Sequence, residues 1–238
     1  MSQPNILHNF KSKNFDLRKE RVQFIILHYT ETNNLKEAID LLTSKKRKVS
    51  SHFVVDINGK IYSLVCESKR AWHAGKSVWR GLDDINSRSI GVEIVNPGEK
   101  KLKLYPKIQI DELIKLIKYI KKKFKIPKHN ILGHSDIAPL RKLDPGKHFP
   151  WKELYSKKIG MWSEVNQVGR ILNKTELINF LQNLKKIGYG WVNHNEISQK
   201  NNKVINAFHR HFAPFLLGKE PTTTSLLKSF ELLKLKKP

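Results

Sequence analysis

The fourteen residues from Gly133 to Gly146 carry the side-chain types that enzymes use in active sites. Four polar residues in this segment could do chemistry: His134, Asp136, Lys142 and Asp144. The apolar pair Ile131-Leu132 leads into the segment, and prolines and glycines interrupt it. This composition predicts an irregular active-site loop that leaves the end of a strand, rather than a helix.

A third metal-ligand type lies far upstream. His28 closes the apolar run Val22-Gln23-Phe24-Ile25-Ile26-Leu27, which is typical of a buried strand. Together His28, His134 and Asp144 offer two neutral nitrogens and one anionic oxygen. This donor set suits a zinc ion that keeps its fourth position open for water.

Two further residues could act beside such a metal. Glu93 lies inside an apolar run, where a carboxylate costs several kcal/mol unless a partner compensates it. The alternative is a glutamate on an edge strand that faces solvent. Lys142 lies two residues before Asp144, so in an extended loop both side chains could point to one side, and a lysine there can hold a developing oxyanion. Its alternative is one more solvated cation in a lysine-rich chain.

Hydrophobic periodicity predicts the elements that position these residues. Strands are predicted at residues 22–27, 52–57, 60–65, 89–95 and 130–132, and amphipathic helices at residues 34–42 and 110–124. Asn58-Gly59 predicts a tight hairpin between the second and third strands. Strands interleaved with helices predict an α/β fold, in which a mixed central sheet is covered by helices on both faces and binds ligands at strand ends.

The last third of the chain shows only helical periodicity. Helices are predicted at residues 175–187, 204–211 and 225–235, which indicates a small three-helix bundle. We therefore expect two domains, residues 1–160 and residues 161–238. The later histidines His148, His194, His209 and His211 are expected on helical surfaces.

Composition limits the other function classes. The net charge of +24 raises the question of nucleic-acid binding, but 36 of the 45 cations are lysine, and a motif that reads bases is missing. We therefore expect no nucleic-acid partner, although the surplus charge could hold the protein near an anionic polymer such as a cell wall. A lone cysteine excludes an intrachain disulfide. We expect no transmembrane segment and no secretory signal in the sequence as given, and a monomer.

Four motifs in order resemble one known family. They are Leu27-His28-Tyr29-Thr30, Ala71-Trp72-His73-Ala74-Gly75, Ser89-Ile90-Gly91-Val92-Glu93-Ile94 and the segment from Gly133 to Gly146. They resemble the zinc-dependent N-acetylmuramoyl-L-alanine amidases of the amidase-2 type, which include the AmpD and AmiD enzymes and are related to peptidoglycan recognition proteins. The resemblance covers roughly Arg21 to Trp151.

The resemblance implies a reaction and a role for each residue. His28, His134 and Asp144 would be the ligands of one zinc ion, Glu93 the acid/base carboxylate and Lys142 the stabiliser of the transition state. The substrate would be peptidoglycan or a muropeptide, cut between N-acetylmuramic acid, in its ordinary or its 1,6-anhydro form, and L-alanine. A relative that binds peptidoglycan without cutting it is the alternative, and the intact ligand set disfavours it.

The resemblance also suggests a substrate groove. It assigns Trp72 and His73 to that groove, with Trp79 and Arg80 as its extension; without the resemblance these residues would form an ordinary exposed loop. Asn96 could bind the stem peptide or simply be a turn residue.

The C-terminal helices resemble the peptidoglycan-binding module of AmiD-type amidases, and residues 204–212 carry this likeness. Core packing explains the apolar spacing of that segment equally well. An AmiD-like enzyme would belong in the periplasm or cell envelope. The cytoplasm stays open because no secretory signal is visible.

Overall fold

A central sheet organises the molecule. The computed structural model describes residues 3–101, 103–193 and 198–235, so His194 lies outside the described residues. Its strands are β1 Ile6–Leu7, β2 Phe15–Leu17, β3 Phe24–Tyr29, β4 Phe53–Val55, β5 Ile61–Ser63, β6 Lys69–Ala71, β7 Ser89–Ile94 and β8 Ile131–Gly133. Six of them form one sheet in the order β1-β5-β4-β7-β3-β8, while β2 and β6 form a separate antiparallel pair.

The five longest described helices follow the predicted periodicities, whereas the sequence predicts none of the three short ones. The helices are α1 Leu35–Thr43, α2 Ile85–Arg88, α3 Lys107–Phe124, α4 His134–Ile137, α5 Trp151–Ser156, α6 Lys174–Ile187, α7 Gln199–Phe212 and α8 Thr223–Leu235. Short 3-10 turns occupy Glu99–Lys101, Lys128–Asn130 and Pro214–Leu216. Among the described helices, none is long and apolar enough to cross a membrane.

The sheet is mixed, as the sequence predicts. Strands β4 and β5 pair antiparallel across the turn that contains Gly59, whose φ is +84°, and this confirms the hairpin. The central pairs β4–β7, β7–β3 and β3–β8 are parallel. Parallel neighbours bring the carboxyl ends of β3, β7 and β8 to one edge, where the predicted ligands lie.

Alternation along β3 shows how the two faces are covered. Ile25 and Leu27 pack with the apolar face of α3, which includes Leu113 and Ile117. Phe24 and Ile26 face the other way and belong to the same cluster of buried residues as α6 and α7. The prediction of helices on both faces is therefore confirmed.

The C-terminal helices thus supply one of the two covering layers. Trp79 and Ile85, from the first 160 residues, share one hydrophobic cluster with Phe180 and Phe208. The division at residue 160 separates the sheet from the three C-terminal helices along the sequence, but buried side chains from both parts share one hydrophobic cluster.

Candidate metal centre and active site

Two neighbouring strands deliver the first polar groups to the site. His28 lies near the end of β3 and Glu93 near the end of β7, directly opposite each other in the parallel register. His134 and Asp144 come from the segment that follows β8, the other parallel neighbour of β3. Four residues that span more than a hundred positions of the sequence, from His28 to Asp144, therefore meet at one edge of the sheet.

Three donor atoms converge at this edge. His28 Nδ1 lies 3.0 Å from His134 Nδ1, and Asp144 Oδ2 lies 2.9 Å from each of these nitrogens. All three side chains are buried. Two imidazole nitrogens and one carboxylate oxygen at nearly equal separations are the donor set of a three-ligand metal site. The residues present therefore fit a metal ion.

The protonation states of two of these groups agree with metal binding. Burial, followed by the charge of His134, lowers the pKa of His28 to about 4, so its ring is neutral at pH 7. Burial alone would raise the pKa of Asp144, but the charges and hydrogen bonds of His134 and His28 outweigh it and lower that pKa. A neutral imidazole and an ionised carboxylate are the forms that ligate metals.

Glu93 shows the opposite shift. Burial, reinforced by the charge of Asp144, raises its pKa well above the usual value, while Lys142 acts in the opposite sense. Among the described residues, Glu93 Oε2 has no hydrogen-bond partner. A buried carboxyl with a raised pKa and an unused oxygen is suited to taking up and returning a proton.

These groups line one cavity of about 430 Å³. Its wall includes the three candidate ligands, Glu93 and Lys142, together with Trp72 and His73. Charged residues of both signs complete it: Glu31, Arg47, Glu99, Lys100 and Arg141. The cavity thus brings a candidate metal-ligand set, a candidate proton-transfer group and a lysine together in one space.

The structure places two of the predicted groove residues elsewhere. Trp79 is only 1% exposed and packs edge-on against Tyr189 at 5.0 Å, inside the core shared with the C-terminal helices. Arg80 donates hydrogen bonds to the Ile187 carbonyl and to Asn130 Oδ1. The structure contradicts the prediction that they extend the substrate groove. Neither lines the cavity with the candidate ligands, because Trp79 packs in the core and Arg80 contacts Ile187 at the end of α6.

Asn96 takes the turn role that was its alternative. It is buried, its Oδ1 accepts a hydrogen bond from Gly98 N, and its Nδ2 donates to the Lys103 carbonyl. The residue therefore shapes the loop after β7 rather than lining the cavity wall.

Asp136 proves to connect layers of the fold. Its carboxylate accepts hydrogen bonds from Gly133 N, the Tyr189 hydroxyl and His211 Nδ1, each at 2.8 Å. His211 and His209 are buried, which corrects their expected place on a helical surface. Sequence periodicity marks the apolar side of α7 but does not indicate that the neighbouring histidines also face a partner.

Sequence reasoning overlooked Asn86 entirely. Its Oδ1 accepts hydrogen bonds from His73 N at 3.0 Å and Ala74 N at 2.6 Å, so it holds the backbone beside the site. It lies outside the four motifs, in the polar stretch Asp83-Asp84-Ile85-Asn86-Ser87-Arg88 before β7, and no sequence signal distinguishes it from its neighbours.

Comparisons with known proteins agree with this geometry. A family model described as N-acetylmuramoyl-L-alanine amidase matches residues 18–147. The chain is 36% identical to the N-acetylmuramoyl-L-alanine amidase AmiD of Escherichia coli over 219 aligned residues, which cover 84% of this chain and 78% of that protein.

Solved structures give the same result. One is Escherichia coli AmiD in complex with the substrate anhydro-N-acetylmuramic acid-L-Ala-D-gamma-Glu-L-Lys. It aligns with a TM-score of 0.81 and 33% sequence identity, and the alignment covers 91% of this chain and 90% of that one. Another is AmpDh3 from Pseudomonas aeruginosa in complex with anhydromuramic pentapeptide. It aligns with a TM-score of 0.79 and 28% sequence identity, and the alignment covers 92% of this chain and 94% of that one. The match extends through the C-terminal helices as well as the sheet. This protein therefore belongs to the N-acetylmuramoyl-L-alanine amidase family and is an enzyme of that class.

Proposed function

We propose that the protein uses zinc, held by His28, His134 and Asp144, to hydrolyse the amide between N-acetylmuramic acid and the L-alanine of a stem peptide. The observation that carries this proposal is the triangle of Nδ1, Nδ1 and Oδ2 atoms at 2.9–3.0 Å in the wall of the cavity. Relatives solved with anhydromuramyl peptides support the substrate class.

When bound, zinc supplies Lewis acidity, which activates water and polarises the carbonyl of the amide. Glu93 takes a proton from the attacking water and returns it to the nitrogen of the leaving L-alanine, a role that its raised pKa favours. The ammonium of Lys142 stabilises the negative charge that develops on the carbonyl oxygen. Its charge already acts on both Glu93 and His28.

Zinc content and product analysis test this proposal together. We expect one zinc per chain by elemental analysis, and mass spectrometry of digested muropeptides should show free peptides that begin with L-alanine. Glu93→Gln and Lys142→Ala should keep zinc but lose activity, the lysine variant by about 10²-fold to 10³-fold. Full activity in either variant with zinc bound would refute the assigned roles.

A chain that binds zinc and muropeptides but releases no peptide would be a binding-only relative. Parallel digests of intact sacculi and of anhydromuropeptides separate wall turnover from recycling, because a recycling enzyme should release product only from the second. Release of peptides from intact sacculi would support a place in the periplasm or cell envelope, which the AmiD likeness favours. Wall binding by residues 161–238 and a monomeric state remain predictions, to be measured by pull-down with sacculi and by light scattering.

A further inference from the structure

We infer that the Trp72–Gly75 segment sets the ring tautomers of both histidine ligands, with His73 as the positioning residue for His28. This inference rests on the proposed metal site. An imidazole can ligate through Nδ1 only if its proton is on Nε2, so a partner at Nε2 decides whether the ring is ready for metal. The resemblance assigned Trp72 and His73 to substrate, and the geometry gives His73 this different task.

The partner of His134 is a backbone carbonyl from this segment. His134 Nε2 lies 3.1 Å from the oxygen of Ala74. A carbonyl can only accept, so the proton of His134 lies on Nε2 and its Nδ1 keeps a lone pair for the metal. Arg141 Nη2 donates to the same oxygen, which has two lone pairs, and so holds that carbonyl in place.

The partner of His28 is the next residue back in the same segment. His28 Nε2 lies 3.0 Å from His73 Nδ1, and His73 Nε2 lies 3.2 Å from Ser89 Oγ. The Ser89 hydroxyl donates its own hydrogen to the Ile85 carbonyl at 2.5 Å, so it must accept from His73. His73 Nδ1 therefore accepts from His28 Nε2, which leaves His28 Nδ1 free for the metal.

A glycine provides the room for this arrangement. A Cβ at Gly91 would lie 2.5 Å from His73 Cγ, although the glycine has no unusual backbone angle. The ring is buried and cannot swing aside, so a side chain at position 91 would push His73 away from His28. This steric demand accounts for the glycine in the motif that also supplies Glu93.

The backbone of the segment is fixed independently. Asn86 Oδ1 accepts from the N–H groups of both His73 and Ala74. One amide oxygen thus holds the two residues that orient the two histidine ligands. Asn86 and the Trp72–Gly75 segment therefore influence the metal indirectly, by fixing the groups that contact the Nε2 atoms of His28 and His134.

An isosteric pair of substitutions at His73 tests the inference. Asn puts an acceptor oxygen near the position of Nδ1, whereas Leu has the same shape and no acceptor. We expect His73→Leu to weaken zinc binding by about 10-fold to 100-fold in chelator competition, and His73→Asn to stay near the wild-type value. Asp144 Oδ2 lies 2.9 Å from His28 Nδ1 and would compete for a proton there when no metal is bound, so the tautomer is measured in an Asp144→Ala background. In that metal-free background, nitrogen NMR should show His28 protonated on Nε2 with His73 or with His73→Asn, and a tautomer mixture with His73→Leu.

Two milder variants keep the test valid if His73→Leu does not fold. Ser89→Ala removes the acceptor at His73 Nε2 and should produce the same tautomer mixture, and Gly91→Ala should weaken zinc binding by displacing the ring. Wild-type zinc affinity and an unchanged His28 tautomer in folded His73→Leu, with only KM raised, would overturn the inference and return His73 to substrate contact. If wild type binds no zinc, the proposed metal site fails instead, while the NMR tautomers still test this inference.

Discussion

Two buried carboxyls in the wall of one cavity illustrate how surroundings assign roles to residues. Burial alone would raise the pKa of Asp144, but the two imidazole rings whose Nδ1 atoms lie 2.9 Å from its Oδ2 lower it. Glu93 has burial and the charge of Asp144 acting on it, and both raise its pKa. Acids whose environments separate their pKa values divide the work of a site, and these opposite shifts support the proposed roles of Asp144 as ligand and Glu93 as proton carrier.

The raised pKa of Glu93 makes the active site a source of instability. In the metal-free protein the folded state holds the Glu93 proton to a higher pH than the unfolded chain, whose value is near 4.5. The unfolded chain therefore binds fewer protons in this range, and stability falls as pH rises above about 4.5 until the folded group also ionises. Glu93→Gln removes this loss and should raise the Tm at pH 7 while lowering activity by about 10²-fold to 10⁴-fold.

Thermal unfolding of chelator-treated wild type and Glu93→Gln at pH 4.5, 6 and 7.5 measures this effect. The Tm advantage of the variant should grow with pH. Glu220→Gln is the matched control, because Glu220 is exposed and its replacement should change Tm equally at all three values. An advantage of Glu93→Gln that is independent of pH would show that the burial penalty has another cause.

The chemistry of single residues explains which parts of the site could be predicted from the sequence. His28, His134 and Asp144 were predicted because their types form a ligand set and a family resemblance placed them in order, and the structure brings their donor atoms together. Trp79 was assigned wrongly, because an aromatic residue in a polar stretch looks the same whether solvent or α6 covers it. The tautomer partners could not be predicted, since Ala74 acts through a carbonyl that no sequence motif records.

At the scale of elements, the site depends on a helix too short to stand alone. Helix α4 has four residues, begins at His134, and occupies part of the segment that was expected to be an irregular loop. Asp136 closes its first turn through Gly133 N and connects it to Tyr189 and His211. The C-terminal helices thus contact the element that carries His134, a proposed metal ligand.

Graded substitutions measure this support. Tyr189→Phe removes one hydrogen bond to Asp136 and should lower the free energy of unfolding by about 1 kcal/mol. Asp136→Asn places an amide donor against the groups that donate to the carboxylate. It should lower the free energy of unfolding by about 2–4 kcal/mol and should also weaken zinc binding. Urea unfolding and chelator competition give both quantities. Equal small effects of the two variants would mean that Asp136 fixes only its own turn.

Periodicity predicted most elements because burial on one face leaves a repeat in the sequence. It placed α3, α6 and α8 within three residues of their observed bounds, whereas α7 begins five residues before its predicted start. It could not predict that α7 turns His209 and His211 inward, because the apolar repeat does not show what a polar neighbour contacts. Contacts between distant elements carry that information.

At the scale of the whole molecule, a charged pair joins the cavity wall to the C-terminal helices. Arg210 on α7 contacts Glu99 with Nε–Oε2 2.7 Å and Nη2–Oε1 3.2 Å, and the side chains are only 8% and 13% exposed. Glu99 follows β7 and lines the cavity. Together with the shared hydrophobic cluster, this pair connects the C-terminal helices to the wall of the cavity.

Removing one member of this pair should therefore affect the entire fold. Arg210→Met leaves the Glu99 carboxylate buried without its main partner, so the free energy of unfolding should fall by about 3–5 kcal/mol. Arg170→Met, in an arginine–glutamate pair whose arginine is 63% exposed, is the control and should cost less than about 1 kcal/mol. Denaturant unfolding followed by tryptophan fluorescence and by circular dichroism should give one coincident transition in both variants, because the sheet and the helices share a core. An early transition that melts helix alone would instead show that residues 161–235 unfold as a separate domain, as the sequence division at residue 160 predicts.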